Sequence, residues 1–418
     1  MTIADRDTDG DTHGDTHGDT HGDPITAERP TTVAEAADLI RATDGPLLFR
    51  GAGTKQSWGG WPAPATVVET TNLTRLLAHN PADMTVAVEA GMPLRDLQEV
   101  LSKEGQWLAL DPPSEAAGAT IGGLLATGDS GPRRLRYGGL RDLVIGVTLV
   151  MADGMVARAG GKVIKNVAGY DLTKMMYGSL GTLAFIAEVV LRLHPRPDTS
   201  TTATLDCSVQ QATDLAVALL ASPLEPSAVD WVQSHSDPEA GGHLAVRFEG
   251  TAAGVAAQRD AAQDLLSRLA GAAQWHADDE ETTLWAELAA EQRRGPDVTA
   301  ASAATLPTRT PDVASELAEA AATAGATAQL ACRPALGLHT AAFTGPDDAV
   351  ARAFESWRAS VLDAGTGASV LLRDRPAEVD ARVDAMGPPP ASVVLLRSLK
   401  RRLDPDGRCA PGRLGSWC

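Results

Sequence analysis

Residues 47–60, LLFRGAGTKQSWGG, place an apolar run directly before a glycine-rich turn, and this junction restricts the fold more than any other stretch. The run reads as a buried strand. Gly51 and Gly53, with the small Ala52 between them, let a backbone approach a ligand closely or simply bend tightly. The residues after Gly53 decide which nucleotide folds remain open. A G-x-G-x-x-G fingerprint needs a third glycine where Gln56 stands, and a helix in place of SWGGWP. A phosphate loop fails as well, because GGKV puts Val163 where the metal-binding hydroxyl belongs. One use of the turn survives both tests: successive backbone amides form an anion nest without a helix dipole.

Short strands and helices alternate around this turn, as in an α/β or α+β domain. VAEAADLIRAT has helical spacing, TVVET and MTVAVEAGM read as strands, and LTRLLAHN reads as a helix. PLRDLQEVLSKEG is an amphipathic helix opened by proline, and QWLAL is a short strand. Residues 111–142 are dense in Gly, Pro, Ala and Arg, and long loops inside compact domains are usually functional. Within them ATIGGLLATG predicts a helix starting near Thr120, with backbone donors and a hydroxyl facing a ligand; Thr120 as a plain cap is the alternative. Arg133, Arg134, Arg136 and Arg141 read equally as a solvated loop or as a face for an acidic partner. LVIGVTLVMADGMVARAG predicts a hairpin turning at Asp153-Gly154. KNVAGYDL reads as a helix start capped by Asp171, followed by a long apolar strand.

After HPRPDTS the chain turns to Ala-rich helices between short strands, a second α+β domain of antiparallel sheet and helices. VQQATDLAVALLASP, TAAGVAAQRDAAQDLLSRLAGAA, DVASELAEAAATAGA and DDAVARAFESWRASVLDAG are the clear helices; HLAVRFEG, QLACRPALGLHTAAF and ASVLLRD are strands. SVVLLRSLKRRLDPDGRCAPGRL is a helix with a glycine-rich exit that the pattern assigns to neither domain.

A chain of 418 residues accommodates two or three cores. The net charge of -18 argues against nucleic acid as a partner, although residues 1–23 alone carry seven Asp against one Arg. Cys207, Cys332, Cys409 and Cys418 stand far apart, which excludes zinc ribbons, iron–sulfur clusters and a disulfide framework and fits reduced thiols in the cytoplasm. The GDTH repeat with His13, His17 and His21 reads as a disordered, low-complexity tail, with weak metal capture as the alternative. The polar, acidic start is neither a secretory nor a mitochondrial leader. The apolar stretch 143–152 is far too short to span a bilayer, so a membrane is reached peripherally or through partner subunits.

Taken in order, RGAGTK, AGMPLRDLQ, LALDPPSEAAGATIGGLLATGDSGPRRLRYG and GGKVIKNVAGYDLTKMMYGSLGTLAFIAEVVLRLHP resemble the FAD-binding domain of the vanillyl-alcohol oxidase/PCMH flavoprotein superfamily. DPDGRCAPGR resembles its closing D-P-x-G-x-x-N-P-G-R motif, and GGKVIKNVAGYDL is most similar to the FAD-binding (smaller flavin) subunits of glycolate oxidase. The resemblance implies an α+β fold: an acidic tail (1–30), a two-lobed PCMH-type FAD-binding domain (31–197), an α+β cap domain with antiparallel sheet (198–385), and a closing helix and motif (386–418). It implies that Arg50, Gly51, Ala52, Gly53, Thr54, Lys55 and Gln56 face the FAD diphosphate. Asp111, Pro112, Thr120, Gly122 and Gly123 would form a second wall, Ser130 and Gly131 would lie toward the flavin, and Gly181, Leu183 and Ile186 would flank the adenine. It further implies glycolate oxidation to glyoxylate in a complex with a larger FAD-containing homologous subunit and an iron–sulfur subunit. A stand-alone FAD-linked oxidoreductase and a flavin-free scaffold subunit are the alternatives.

The pattern is broken in three places. Many members attach FAD through a histidine in the first glycine turn; Thr54-Lys55 stands there, so FAD is expected to be non-covalent. The G-D-G-N-x-H and E-H-G metal-and-base motifs of the 2-hydroxy acid dehydrogenases do not occur, and His235, His243, His276 and His339 lack their neighbours, so no metal site is expected. Ala410 occupies the usual Asn position of the closing motif. No base or substrate-binding residue can be assigned from the sequence.

Overall fold

The computed structural model describes residues 27–161, 172–234, 241–292, 298–364 and 367–418. The histidine repeat, His235 and the segment 162–171, including the expected Asp171 cap, lie outside the described residues.

The first half has two lobes. In the smaller, β1 (Ala27–Glu28), β2 (Leu47–Arg50) and β3 (Thr66–Glu69) form a parallel sheet in the order β1-β3-β2. Helix Val33–Ala42 starts at Thr32, whose side chain accepts from the Glu35 amide, and buries Ala36, Ala37 and Ile40 against Leu47 and Val68.

The larger lobe is an antiparallel sheet of β4 (Leu76–Asn80), β5 (Thr85–Glu89), β7 (Val144–Val150), β8 (Val156–Gly160) and β9 (Phe185–Arg192), ordered β4-β5-β9-β7-β8. Helices Leu94–Ser102 and Ile121–Thr127 cover it, packing Leu97, Leu101, Ile121 and Leu124 on Val86 and Val88. β7 and β8 form the expected hairpin, with Gly154 at a φ of +79°. LTRLLAHN, expected as a helix, is instead the edge strand β4. Its leucines have helical spacing, but Leu76 and Leu77 are each 40% exposed, so no helical face is buried and backbone pairing with β5 decides. QWLAL shortens to β6 (Gln106–Trp107), paired with β10 (His194–Pro195).

The second half is built on β11 (Thr199–Cys207), β12 (Ala228–Gln233), β13 (Gly242–Gly250), β14 (Gln274–His276), β15 (Thr299–Ala304), β16 (Thr327–Arg333), β17 (Leu338–Thr344) and β18 (Ser369–Asp374). They form one antiparallel sheet, β14-β11-β13-β12-β16-β17-β15-β18. The four expected helices cover one face, where Trp231, Phe248, Phe343, Phe354 and Trp357 make the core. Helix Asp278–Gln292, which sequence patterning missed, covers part of the other face through Trp285 and Leu288. The rest of that face looks toward the first half.

Contacts settle where the closing segment sits. The Leu47 amide donates to the Arg408 carbonyl and the Ala410 amide to the Leu47 carbonyl, both at 2.7 Å, which extends the small parallel sheet beside β2. Lys400 donates to the Thr182 carbonyl at 2.7 Å. The chain thus returns to its first half after building the second.

Candidate functional site

The glycine turn is shaped by what lies behind it. Gly51 rests on Thr120: a Cβ there would come within 2.3 Å of Thr120 Oγ1. Gly53 has a φ of +76°, a left-handed conformation that costs L-residues about 1–2 kcal/mol, and its open side meets nothing closer than Arg50 Cδ at 3.8 Å. Among the described residues, the amides of Ala52, Gly53 and Thr54 donate to no protein acceptor. The other side of the turn is pinned by Arg413 of the closing motif. Its guanidinium donates to the carbonyls of Gln56 and Trp58 and to Gln56 Oε1. Burial pulls the Arg413 pKa down to about 10, which leaves it charged at neutral pH. The outcome is a row of free donors held in place from behind.

The second wall differs from expectation in one respect. Thr120 does cap helix Ile121–Thr127, accepting from the Gly123 amide at 3.2 Å. However, the Ile121 and Gly122 amides already donate to the Met92 and Ala90 carbonyls, so the helix start has no donors to spare. Gly122 is small because it packs on Ala90, whose Cβ would lie 2.7 Å from a Cβ at 122. The anion-binding capacity therefore sits in the turn.

Arg50, Gly51, Ala52, Gly53, Thr54, Lys55, Gln56, Thr120, Gly122, Gly123, Gly181 and Ile186 line one cleft between the two lobes. Trp58 and Thr127 join it to a second cleft that contains Leu183 and Tyr177. Arg373 and Ser302 join the second to an inner cavity of about 130 Å³ that contains Ser130. Asp230 and Gln292 separate this cavity from an outer cleft of about 480 Å³ lined by Asp111 and Pro112. Gly131 holds the loop between them, since a Cβ there would collide with Asp111. The expected residues thus lie along one string of four connected spaces instead of around a single pocket. It passes from between the lobes to between the halves of the molecule, as an extended ligand requires.

The inner cavity carries the polar chemistry. From the cap sheet come Asp230, Arg333 and Arg373; the first half supplies Asp129, Ser130 and Arg134. Gln292 bridges two of these, donating to Asp230 Oδ2 and accepting from Arg333 at 3.1 Å. Asp230 Oδ1 and Arg333 Nε are buried 3.8 Å apart with no hydrogen-bond partner among the described residues. Burial pushes the Asp230 carboxyl up to about 7, against the opposing pull of Arg333 and Gln292. Arg373 stacks 4.2 Å over the Trp58 ring. Asp129 accepts from Ser114 and pairs with Lys55 at 3.3 Å, tying the glycine turn to the cavity wall. His339 borders the cavity, but its ladder partners Cys332 and Ala303 belong to the helix-covered core, and its ring bonds Thr305 at 2.9 Å. It is a core histidine.

Sequence reasoning found none of Asp230, Arg333 and Arg373. The available signal was a charge at a position of the sheet face opposite the apolar core, as in AVDWVQ, where Val229 and Trp231 point inward. The arginine loop also finds its acidic partner inside the chain: Arg133 pairs with Glu249 at 3.3 Å and Arg136 with Glu225 at 3.1 Å, both on the second half. Among the described residues, no group of three or more His, Cys, Asp and Glu could hold a metal ion, and no helix is long and apolar enough to cross a membrane.

Residues 25–160 match the family model described as FAD binding domain. The chain is 31% identical over 215 residues to the glycolate oxidase subunit GlcE of Escherichia coli (strain K12), covering 51% of this chain and 59% of that one. It is 34% identical over 179 residues to the glycolate oxidase subunit GlcD of Bacillus subtilis (strain 168), covering 41% and 38%. It is also 37% identical over 170 residues to a mitochondrial D-lactate dehydrogenase [cytochrome] of Arabidopsis thaliana, covering 40% and 30%. The matches span between 30% and 59% of these relatives' length, less than two thirds in each case. Among solved structures, an alkyldihydroxyacetonephosphate synthase superposes with a TM-score of 0.67 at 18% identity, covering 92% of this chain and 76% of that one. A chitooligosaccharide oxidase gives 0.66 at 15% identity, covering 93% and 92%. The free amides, the glycine cradle and the extended string of clefts fit a dinucleotide, and the chain therefore has the α+β fold of the PCMH-type flavoproteins, with an FAD binding domain in its first half and FAD as its cofactor.

Proposed function

We propose that the chain is an FAD-dependent oxidoreductase acting on CH–OH donors, and that it serves as the FAD-binding subunit of a glycolate oxidase-type assembly. The observation that carries this reading is the row of unpaired amides at Ala52, Gly53 and Thr54, at one end of a string of clefts that ends in an arginine-lined cavity. In this reading Arg50 to Gln56 hold the diphosphate, with Thr120, Gly122 and Gly123 opposite. Gly181, Leu183 and Ile186 flank the adenine, and Ser130 and Gly131 lie at the flavin end. Asp111 and Pro112 bear on the cofactor by fixing that loop: Asp111 accepts from the Arg133 amide at 3.1 Å. Bound FAD would supply the two-electron acceptor for a hydroxy acid. Among the described residues, neither histidine nor cysteine lines the glycine-turn cleft, which supports non-covalent attachment.

The relatives named as glycolate oxidase subunits support a multi-subunit assembly. In this reading the partners are a larger FAD-containing subunit and an iron–sulfur subunit, and the chain lies in the cytoplasm or at the membrane surface through them. The domain limits adopted are 31–197 for cofactor binding and 198–385 for the cap, with 386–418 closing the first domain. The test is glycolate oxidation with a dye acceptor, by the purified chain and by the chain co-expressed with such partners. The reading expects a yellow protein that turns over slowly alone and rapidly in the assembly. Rapid turnover alone would replace it with the stand-alone enzyme, and a colourless protein with the scaffold.

A further inference from the structure

The inner cavity has room for a small ligand and shares Pro113, Asp230 and Gln292 with the outer cleft. Its volume of about 130 Å³ leaves room for several water molecules and is enough for an acid of a few heavy atoms. Asp230 and Gln292 line both this cavity and the outer cleft. Asp230 is fully buried, yet Oδ1 has no hydrogen-bond partner among the described residues; the facing Arg333 Nε is also unpartnered. This is an ion pair held apart, in a space where two polar atoms lack what a ligand could give.

We propose that the inner cavity takes up a small carboxylate anion together with one proton, the proton going to Asp230. The choice of a carboxylate rests on the proposed function; the coupling rests on the geometry. An anion placed between Arg333 and Arg373 meets an Asp230 carboxylate that already faces Arg333 at 3.8 Å. Two carboxylates cannot share one buried guanidinium without repulsion, so a proton from the outer cleft neutralises Asp230 and leaves Arg333 to the ligand. One O–H bond forms on Asp230, and no other bond changes.

Of the other charged groups around Asp230, Asp111 on the outer side is also raised by burial, against the pull of Arg133 at 3.7 Å, but it lines the outer cleft and not the inner cavity. Arg247 pairs with Glu281 at 2.9 Å. On the inner side Asp129 pairs with Lys55. Arg134 lines the wall, and the Cys332 thiol is held protonated by burial. His339 is kept neutral on the other face of the sheet by burial. Of the two carboxyls raised by burial, Asp230, at about 7, is the one that lines the inner cavity and can accept a proton there near neutrality.

The test is calorimetric titration of the FAD-loaded chain with acetate, a small carboxylate with no CH–OH for the flavin to oxidise, at pH 8, in two buffers of different ionisation enthalpy. Uptake of close to one proton per acetate is expected, with affinity falling about tenfold between pH 8 and pH 9. Asp230→Asn should abolish both effects, while His339→Gln should leave them intact. Buffer-independent heats in the wild-type chain would overturn the proposal whether or not the variants fold. So would uptake that persists in Asp230→Asn, or a loaded chain that binds no acetate at any pH. A chain that takes up no FAD contradicts the functional reading instead.

Discussion

Gly51 and Thr120 offer the sharpest test of how the cofactor turn is built. An alanine at 51 would place its Cβ 2.3 Å from Thr120 Oγ1, far inside any real contact, whereas Thr120 Cβ and Cγ2 both lie at 3.4 Å. The backbone at 51 is not left-handed, so the whole cost of Gly51→Ala is this collision. Overpacking of this kind costs about 1–3 kcal/mol. Thr120→Ala removes the cap of helix Ile121–Thr127, a loss of about 1 kcal/mol. The double variant loses the cap but also loses the collision. Its destabilisation should match that of Thr120→Ala alone, giving a coupling of about 1–3 kcal/mol in a double-mutant cycle. Urea denaturation of the four apoproteins measures it. FAD affinity, followed by flavin fluorescence quenching, should fall in Gly51→Ala and partly recover in the double variant. Additive costs would show that the turn does not rest on the helix cap, and the cradle of Gly51 on Thr120 would be wrong.

Four further expectations concern single sites. Ala410, at a φ of +43°, pays for a left-handed backbone where Asn is usual in the closing motif; Ala410→Gly should stabilise the protein by about 0.5–1 kcal/mol in the same denaturation assay. Arg413→Ala leaves the Gln56 and Trp58 carbonyls without their charged donor and should cost about 2–3 kcal/mol; it should also weaken FAD binding at least tenfold in a fluorescence titration. Burial lowers His339 to about 4, below its ordinary value of 6.5, so the unfolded chain binds the extra proton between those values. His339 therefore contributes stability that is present above pH 6.5 and lost on acidification toward pH 4. Asp230, raised from 3.8 to about 7, has the opposite sign: its contribution is present below pH 4 and lost as pH rises through 7. Asp230→Asn should accordingly gain stability relative to wild type from pH 5 to pH 8, read from urea midpoints; a constant difference would refute the shift.

The sequence was most legible where local chemistry and tertiary environment agree. The strand into Gly51, the Thr120 cap, the Asp153-Gly154 hairpin and the amphipathic cap helices each come from spacing or turn chemistry, and the structure has them. It was least legible where partners come from far along the chain. β4 has a helical leucine pattern but pairs with β5 at an edge, where no helical face could be buried. The helix Asp278–Gln292 has four acidic residues in its first turn and little apolar periodicity, and it becomes visible only through Trp285 and Leu288 on the cap sheet. Asp230, Arg333 and Arg373 sit on three strands separated by long stretches, and nothing local tells a cavity-facing charge from a surface one. The closing segment was ambiguous because its partner Leu47 lies more than 300 residues earlier.

The central claim is that the free amides of the glycine turn hold FAD without a covalent bond, and reconstitution tests it most directly. Apoprotein should take up one FAD per chain, give a bound-flavin spectrum, and release all of the flavin to the supernatant on acid precipitation. A chain that stays colourless in excess FAD, or a pellet that stays yellow, would contradict the account.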